Sequence, residues 1–291
     1  MNKYNSKTIF HLPGVFVFSA FYREFLKLYR QMPEAFMENM EIGSIYGAPA
    51  HCIWNGGRFM YNEAPKQVLL IIKEFMKEAN IPVRLTFTNS LIEDKHLQDT
   101  YCNLIADIFN ETPNEILCNS DILEDYLRKT YTNYQFISST TKVIKTSHAL
   151  NEEVKNYKLV VLDYSLNKNI GFIKKIKNPE KIEVLCNETC REKCTYRKEH
   201  YQLVSKAILN NDDSILHKCT PSSVPFYLAK TRGHFVSRDD INEFLSKGIY
   251  NFKLVGRQTH ILDLIEILLY YLVKDSYQDE MRSRLQGIVY W

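Results

Sequence analysis

No uninterrupted apolar run in this chain approaches the length of a bilayer span. The most apolar late segment, Ile261 to Val273, carries Asp263 and Glu266, so it reads as a buried amphipathic helix and no membrane association is expected. A secretory signal is missing too: Met1 to Thr8 is polar, and the apolar stretch behind it is broken by His11, Pro13, Arg23 and Glu24. A cytoplasmic protein is expected. Glycine and proline are sparse, at 10 and 9 of 291 residues, and no Gly/Ser-rich linker, Pro-rich linker or low-complexity tract divides the chain. That predicts one domain over residues 1–291. A surplus of one charge is also lacking, since 37 basic residues are mixed among 34 acidic ones for a net charge of +3. Nucleic acid stays open as a partner, but charge does not point to it.

Familiar catalytic signatures are absent as well. Gly56-Gly57-Arg58 lacks the lysine and Ser/Thr of a phosphate-binding loop and the spacing of a dinucleotide fingerprint. There is no nucleophile elbow and no HExxH zinc helix. Hydrolases of those kinds are not supported.

What is present is an alternation of short β-rich runs with amphipathic helical runs. Strands are predicted at Glu41–Tyr46, Val83–Thr88, Glu115–Cys118, Gln135–Ser138, Leu159–Asp163, Lys181–Leu185 and Phe252–Val255. Helices are predicted at Phe21–Gln31, Pro65–Ala79, Lys95–Asn110, Ile122–Thr130, Ile170–Ile176, Arg197–Leu209, Arg238–Ser246 and Ile261–Asp275. Strict alternation implies parallel strands with helical crossovers, and this many units in this length fit a (β/α)8 barrel better than an open doubly wound sheet.

The predicted strands give way to polar groups at their C-terminal ends: Thr88-Asn89-Ser90, Asn119-Ser120, Ser138-Ser139, Asp163-Tyr164-Ser165, Asn187-Glu188 and Gly256-Arg257. Such residues also cap helices, but in a barrel these ends converge on the face that carries active sites. The expected pocket is lined by Arg58, Asn89, Asp163, Glu188 and Arg257. The arginines are expected to hold an anionic substrate, and Asp163 or Glu188 to move protons. The paired glycines before Arg58 would allow close approach of backbone to a ligand, and His51 in the same loop is a weak acid–base candidate.

Four of the seven cysteines fall in one segment, Cys186, Cys190, Cys194 and Cys219. The four-residue spacing just after a predicted strand suits soft-metal ligands gathered at a strand end. Zinc would accept three or four sulfurs and an iron–sulfur cluster up to four, and spacing alone does not choose between them; free core thiols and a redox disulfide are the non-metal alternatives. His217 is an alternative nitrogen ligand, whereas His200 reads as an ordinary helix histidine near Tyr201 or Arg197. Cys52, Cys102 and Cys118 lie singly on apolar segments and read as core residues.

The stretch Phe235 to Arg257 resembles the late segment of the U32 collagenase-like peptidase family. There a Ser-x-Asp helix start, here Ser237-Arg238-Asp239-Asp240, leads through a glycine, here Gly248, to Lys-Ile-Glu-Gly-Arg. In this chain that last run is Lys253-Leu-Val255-Gly256-Arg257, with Val255 where the family has glutamate. The resemblance implies a TIM-barrel fold. For several members it also implies a 4Fe-4S cluster on four cysteines that supports oxygen-independent hydroxylation of aromatic rings or RNA bases. Carried over, it makes Cys186, Cys190, Cys194 and Cys219 cluster ligands and places Lys253, Gly256 and Arg257 at the active strand end, with Lys253 binding substrate. The expected substrate is a small molecule, a nucleobase or a peptide. Two further readings stay open: a zinc-dependent hydrolase or peptidase, and a non-enzymatic binding module with a structural zinc site.

Overall fold

The computed structural model describes residues 7–216 and 225–289. Eight parallel strands close into a barrel in chain order: β1 (Thr8–Pro13), β2 (Met40–Gly47), β3 (Val83–Phe87), β4 (Glu115–Cys118), β5 (Gln135–Ser138), β6 (Leu159–Val161), β7 (Ile182–Leu185) and β8 (Asn251–Lys253). β8 returns to pair with β1, with Phe252 opposite Phe10. The predicted (β/α)8 architecture is the one found. No helix among the described residues is long and apolar enough to cross a membrane.

Alternation along each strand separates two environments. In β3, Val83, Leu85 and Phe87 face outward into the main apolar core beneath the helices, while Arg84 and Thr86 point into the barrel. β7 repeats the pattern: Ile182, Val184 and the following Cys186 pack outward, and Glu183 and Leu185 point in. The interior is divided. Leu117, Ile137, Leu159, Val161 and Leu185 form an apolar cluster on the β4–β7 side.

The remaining interior carries charge. Arg84, with no exposed side-chain surface, donates from Nε to Glu115 Oε2 and from Nη1 to Glu183 Oε2, both at 2.6 Å. Lys158 donates to the other oxygen of Glu115 at 2.7 Å. His11 Nδ1 receives Arg84 Nη2 at 3.0 Å, so that nitrogen carries no proton and Nε2 donates to Asn251 Oδ1 at 3.2 Å. Burial is the main cause that lowers the His11 pKa to about 4, with the Arg84 charge adding to it. For Glu183 burial pulls upward, but Arg84, His11 and Lys253 together hold the carboxyl down to about 2. The network is therefore ionised at Glu183 and neutral at His11 near pH 7.

β1 was not among the predicted strands. Its period is disturbed by His11, which belongs to the interior network, by Pro13, and by a register shift between Phe10 and His11 against β2. The short helix Ser147–Glu153, capped by Thr146, and the last helix Gln278–Val289 were likewise unassigned. The predicted helix Lys95–Asn110 is a 3-10 turn, Asp94–His96, followed by Thr100–Ile108, because Asp99 caps the second segment by accepting from Cys102 N.

Candidate active site

The C-terminal ends of the strands surround a cavity of about 60 Å³ whose walls include Arg58, Glu188, Lys253 and Arg257. These four predicted residues are brought together. Arg257 follows β8 through Gly256, whose φ of +158° keeps the turn tight against Pro13 and Thr259. Its Nη1 donates to Thr86 Oγ1 at 2.8 Å and Asn55 Oδ1 at 3.1 Å, and Nη2 donates to Gly56 O at 3.2 Å. All three acceptors are neutral. Among the described residues no carboxylate lies within ion-pair distance of Arg257, and burial is the main cause that lowers its pKa to about 10. It is thus a partly buried cation whose charge has no direct counter-ion.

Arg58 is placed by the loop after β2. Gly56 lies so close to the end of β3 that an added Cβ would stand 2.3 Å from Thr88 O, and Gly57 takes a φ of +73°. The close approach that the paired glycines allow is to the barrel's own strand end. Arg58 Nη2 then lies 3.5 Å from Glu188 Oε1. Glu188 also accepts from the backbone N–H groups of Thr189 and Cys190 at 2.9 and 3.2 Å. Burial raises its pKa, but Arg58, Arg197 and those amides outweigh this and keep it ionised.

Asp163 and Asn89 stand outside the cavity wall. Asp163 accepts from Lys145 Nζ and Ser165 Oγ, each at 2.6 Å, and lies 3.2 Å from Arg197 Nη1. Asn89 is fully buried and joins Ile53 O and Ser205 O while accepting from Leu91 N. Two mouth residues were not predicted. Arg197 stacks over the Tyr164 ring at 3.9 Å and donates to Tyr201 Oη at 2.9 Å and Thr140 Oγ1 at 3.0 Å. Tyr201 lines the cavity and sits one turn along the helix Arg197–Asn210. Their signal was an arginine and a tyrosine four residues apart at a helix start.

Lys253 is 4% exposed, with Nζ 3.9 Å over the Tyr46 ring and 3.6 Å from Glu183 Oε1. That separation exceeds a hydrogen bond, and neither atom has another hydrogen-bond partner among the described residues. Burial dominates and lowers the Lys253 pKa to about 7.

Cys190 and Cys194 lie near each other, and Cys186 stands apart from them. Cys186 is fully buried on the outward face, with its thiol donating to Val184 O, and burial pushes its pKa well up. Cys190 packs on the inward apolar cluster, and Cys194 is half-buried. Cys219 and His217 lie outside the described residues. Among the described residues no three His, Cys, Asp or Glu side chains gather as a metal site. Cys186 thus packs outward while Cys190 packs against the inward cluster. Cys52, Cys102 and Cys118 are buried core residues, with the first two thiols 3.6 Å apart.

No family model matches the chain. It is 25% identical over 207 residues to the uncharacterized protease MJ1657 of Methanocaldococcus jannaschii, a match covering 68% of this chain and 60% of that protein's length. Among solved structures it is similar to the U32 peptidase Mk0906, with a TM-score of 0.54 and 13% identity over 88% of this chain and 95% of the other. What the chain shares with that U32 peptidase is the barrel fold.

Proposed function

We propose that this protein is a U32-type barrel enzyme that binds the carboxylate of a small molecule or peptide at the barrel mouth. Arg257 and Arg58 hold the anion, Glu188 orients Arg58, and Lys253 exchanges protons with the bound substrate. One observation carries the reading: a partly buried Arg257 whose bonded acceptors are all neutral, on the same small cavity as Lys253. Such a cation gains from an anion that supplies the counter-ion it lacks. A lysine whose pKa is lowered to about 7 is suited to proton transfer near neutrality. The words "protease" and "peptidase" attached to the two similar proteins favour a peptide carboxylate as the source of the anion.

Binding of oxalate, acetate, inorganic phosphate and a short peptide, followed by calorimetry, tests this. A carboxylate should bind the wild type, and Arg257→Ala should weaken it by about tenfold or more, the scale of a lost hydrogen bond to a charged group. Equal binding by the variant would remove the proposal.

The oxygen-independent hydroxylase reading rests on a 4Fe-4S cluster at Cys186, Cys190, Cys194 and Cys219, and the zinc readings rest on the same thiols. Iron, zinc and acid-labile sulfide assayed on anaerobically prepared protein decide among them. Stoichiometric iron with sulfide would make the anion the substrate of a redox enzyme, and zinc alone would favour hydrolysis or a structural site.

A further inference from the structure

The mouth holds a nucleophile that anion binding does not use. Lys253 projects from the end of β8 into the cavity that Arg257 also lines, walled on one side by the Tyr46 ring. Its Nζ makes no hydrogen bond, and Glu183 Oε1, 3.6 Å from it, has none either. An amine that is itself buried, without a hydrogen bond and only loosely paired with Glu183 at 3.6 Å, at the wall of a small cavity and beside a cation without a direct counter-ion, has the surroundings of a lysine that attacks carbonyl carbon. We propose that Lys253 captures small aldehydes or 2-oxo acids bearing a carboxylate, joining them to the enzyme as an imine.

This deepens the reading of the mouth as a carboxylate site and rests on it. In the step, the neutral Nζ forms a bond to the carbonyl carbon as the C=O π bond opens onto oxygen. The nitrogen then gives up two protons, the oxygen takes them and leaves as water, and a C=N bond remains. Nothing is oxidised or reduced. Glu183 Oε1, 3.6 Å away, is the group placed to take a proton from nitrogen and return it to the departing oxygen. The lowered pKa leaves part of the lysine neutral at pH 7, as the attack requires. A cavity of about 60 Å³ holds roughly four or five waters, the scale of glyoxylate or pyruvate.

Glyoxylate with sodium cyanoborohydride would reduce the imine to a stable carboxymethyl-lysine, located by peptide mass spectrometry on the full chain. The expected result is labelling at Lys253 at least about tenfold faster than at exposed lysines, slowed by oxalate. Lys253→Met should lose that label, with circular dichroism confirming its fold, and Lys253→Arg serves as a second variant that keeps the charge without the nucleophile. Propionaldehyde, which has no carboxylate, should label more slowly. If it labels Lys253 as fast as glyoxylate and oxalate protects neither, the imine stands and the carboxylate reading falls. If Lys253 reacts no faster than exposed lysines while oxalate still binds the wild type and not Arg257→Ala, the carboxylate reading stands and the imine is overturned.

Discussion

Arg84 is the residue on which the interior of the barrel turns. Its guanidinium meets two carboxylates at 2.6 Å with no exposed surface, so Arg84→Met leaves Glu115 and Glu183 without their main partner in a low-dielectric interior. The variant should lose about 3–5 kcal/mol of stability, read as a lowered urea midpoint. Adding Glu183→Gln should recover part of that loss, since the second change removes one stranded charge. This network was open to inference from Arg84, Glu115 and Glu183, charged residues at alternate positions of otherwise apolar strands. It went unread because sequence alone does not say that the three strands face one another. Arg58, Glu188 and Arg257 were legible because each follows a predicted strand or glycine turn, and Lys253 through the resemblance of the Phe235 to Arg257 stretch. Asp163 and Asn89 looked the same in sequence, yet their polar atoms are taken up by Lys145, Ser165 and Arg197 in one case and by backbone groups in the other.

At the scale of elements, the helix Arg238–Ser246 begins with a reciprocal cap. Ser237 Oγ accepts from Asp240 N, and Asp240 Oδ2 accepts from Ser237 N at 2.6 Å. Ser237→Ala should cost about 1 kcal/mol by thermal or chemical denaturation while leaving carboxylate affinity unchanged. That separates the part of the U32-like stretch that builds a helix from the part, Lys253 to Arg257, that faces the cavity. Seven strands were legible because outward apolar positions alternate with inward ones, or because both faces are apolar. β1 was lost to the residues that make it useful, since His11 interrupts the apolar pattern in order to reach Arg84 and Asn251. Many polar strand ends proved to be caps or ties: Ser120 accepts from Leu123 N, and Asn187 exchanges two hydrogen bonds with Val255.

Across the whole molecule, buried groups set the response to pH. The folded barrel keeps His11 neutral down to about pH 4, whereas the unfolded chain protonates it near 6.5. Unfolding therefore takes up a proton in that window, and stability should fall as pH drops from about 6.5 toward 4. His11→Gln, which cannot titrate, should flatten the curve there. Lys253 acts in an alkaline window: its folded pKa of about 7 lies below the unfolded value near 10.4, so stability should rise between them. Lys253→Met should remove that rise, measured as urea midpoints across the range. The charged interior also constrains how the chain can be divided. His11, Arg84 and Glu115 come from the first four strands, and Glu183 and Lys253 from the last two. A break between β4 and β5 would leave each fragment holding ionic groups severed from partners in the other. Neither piece should hold the native fold by itself, and co-refolding should restore the circular dichroism that both lack alone. Unlike a barrel closed by interchangeable aliphatic layers, this one has halves that are complementary and cannot substitute for each other.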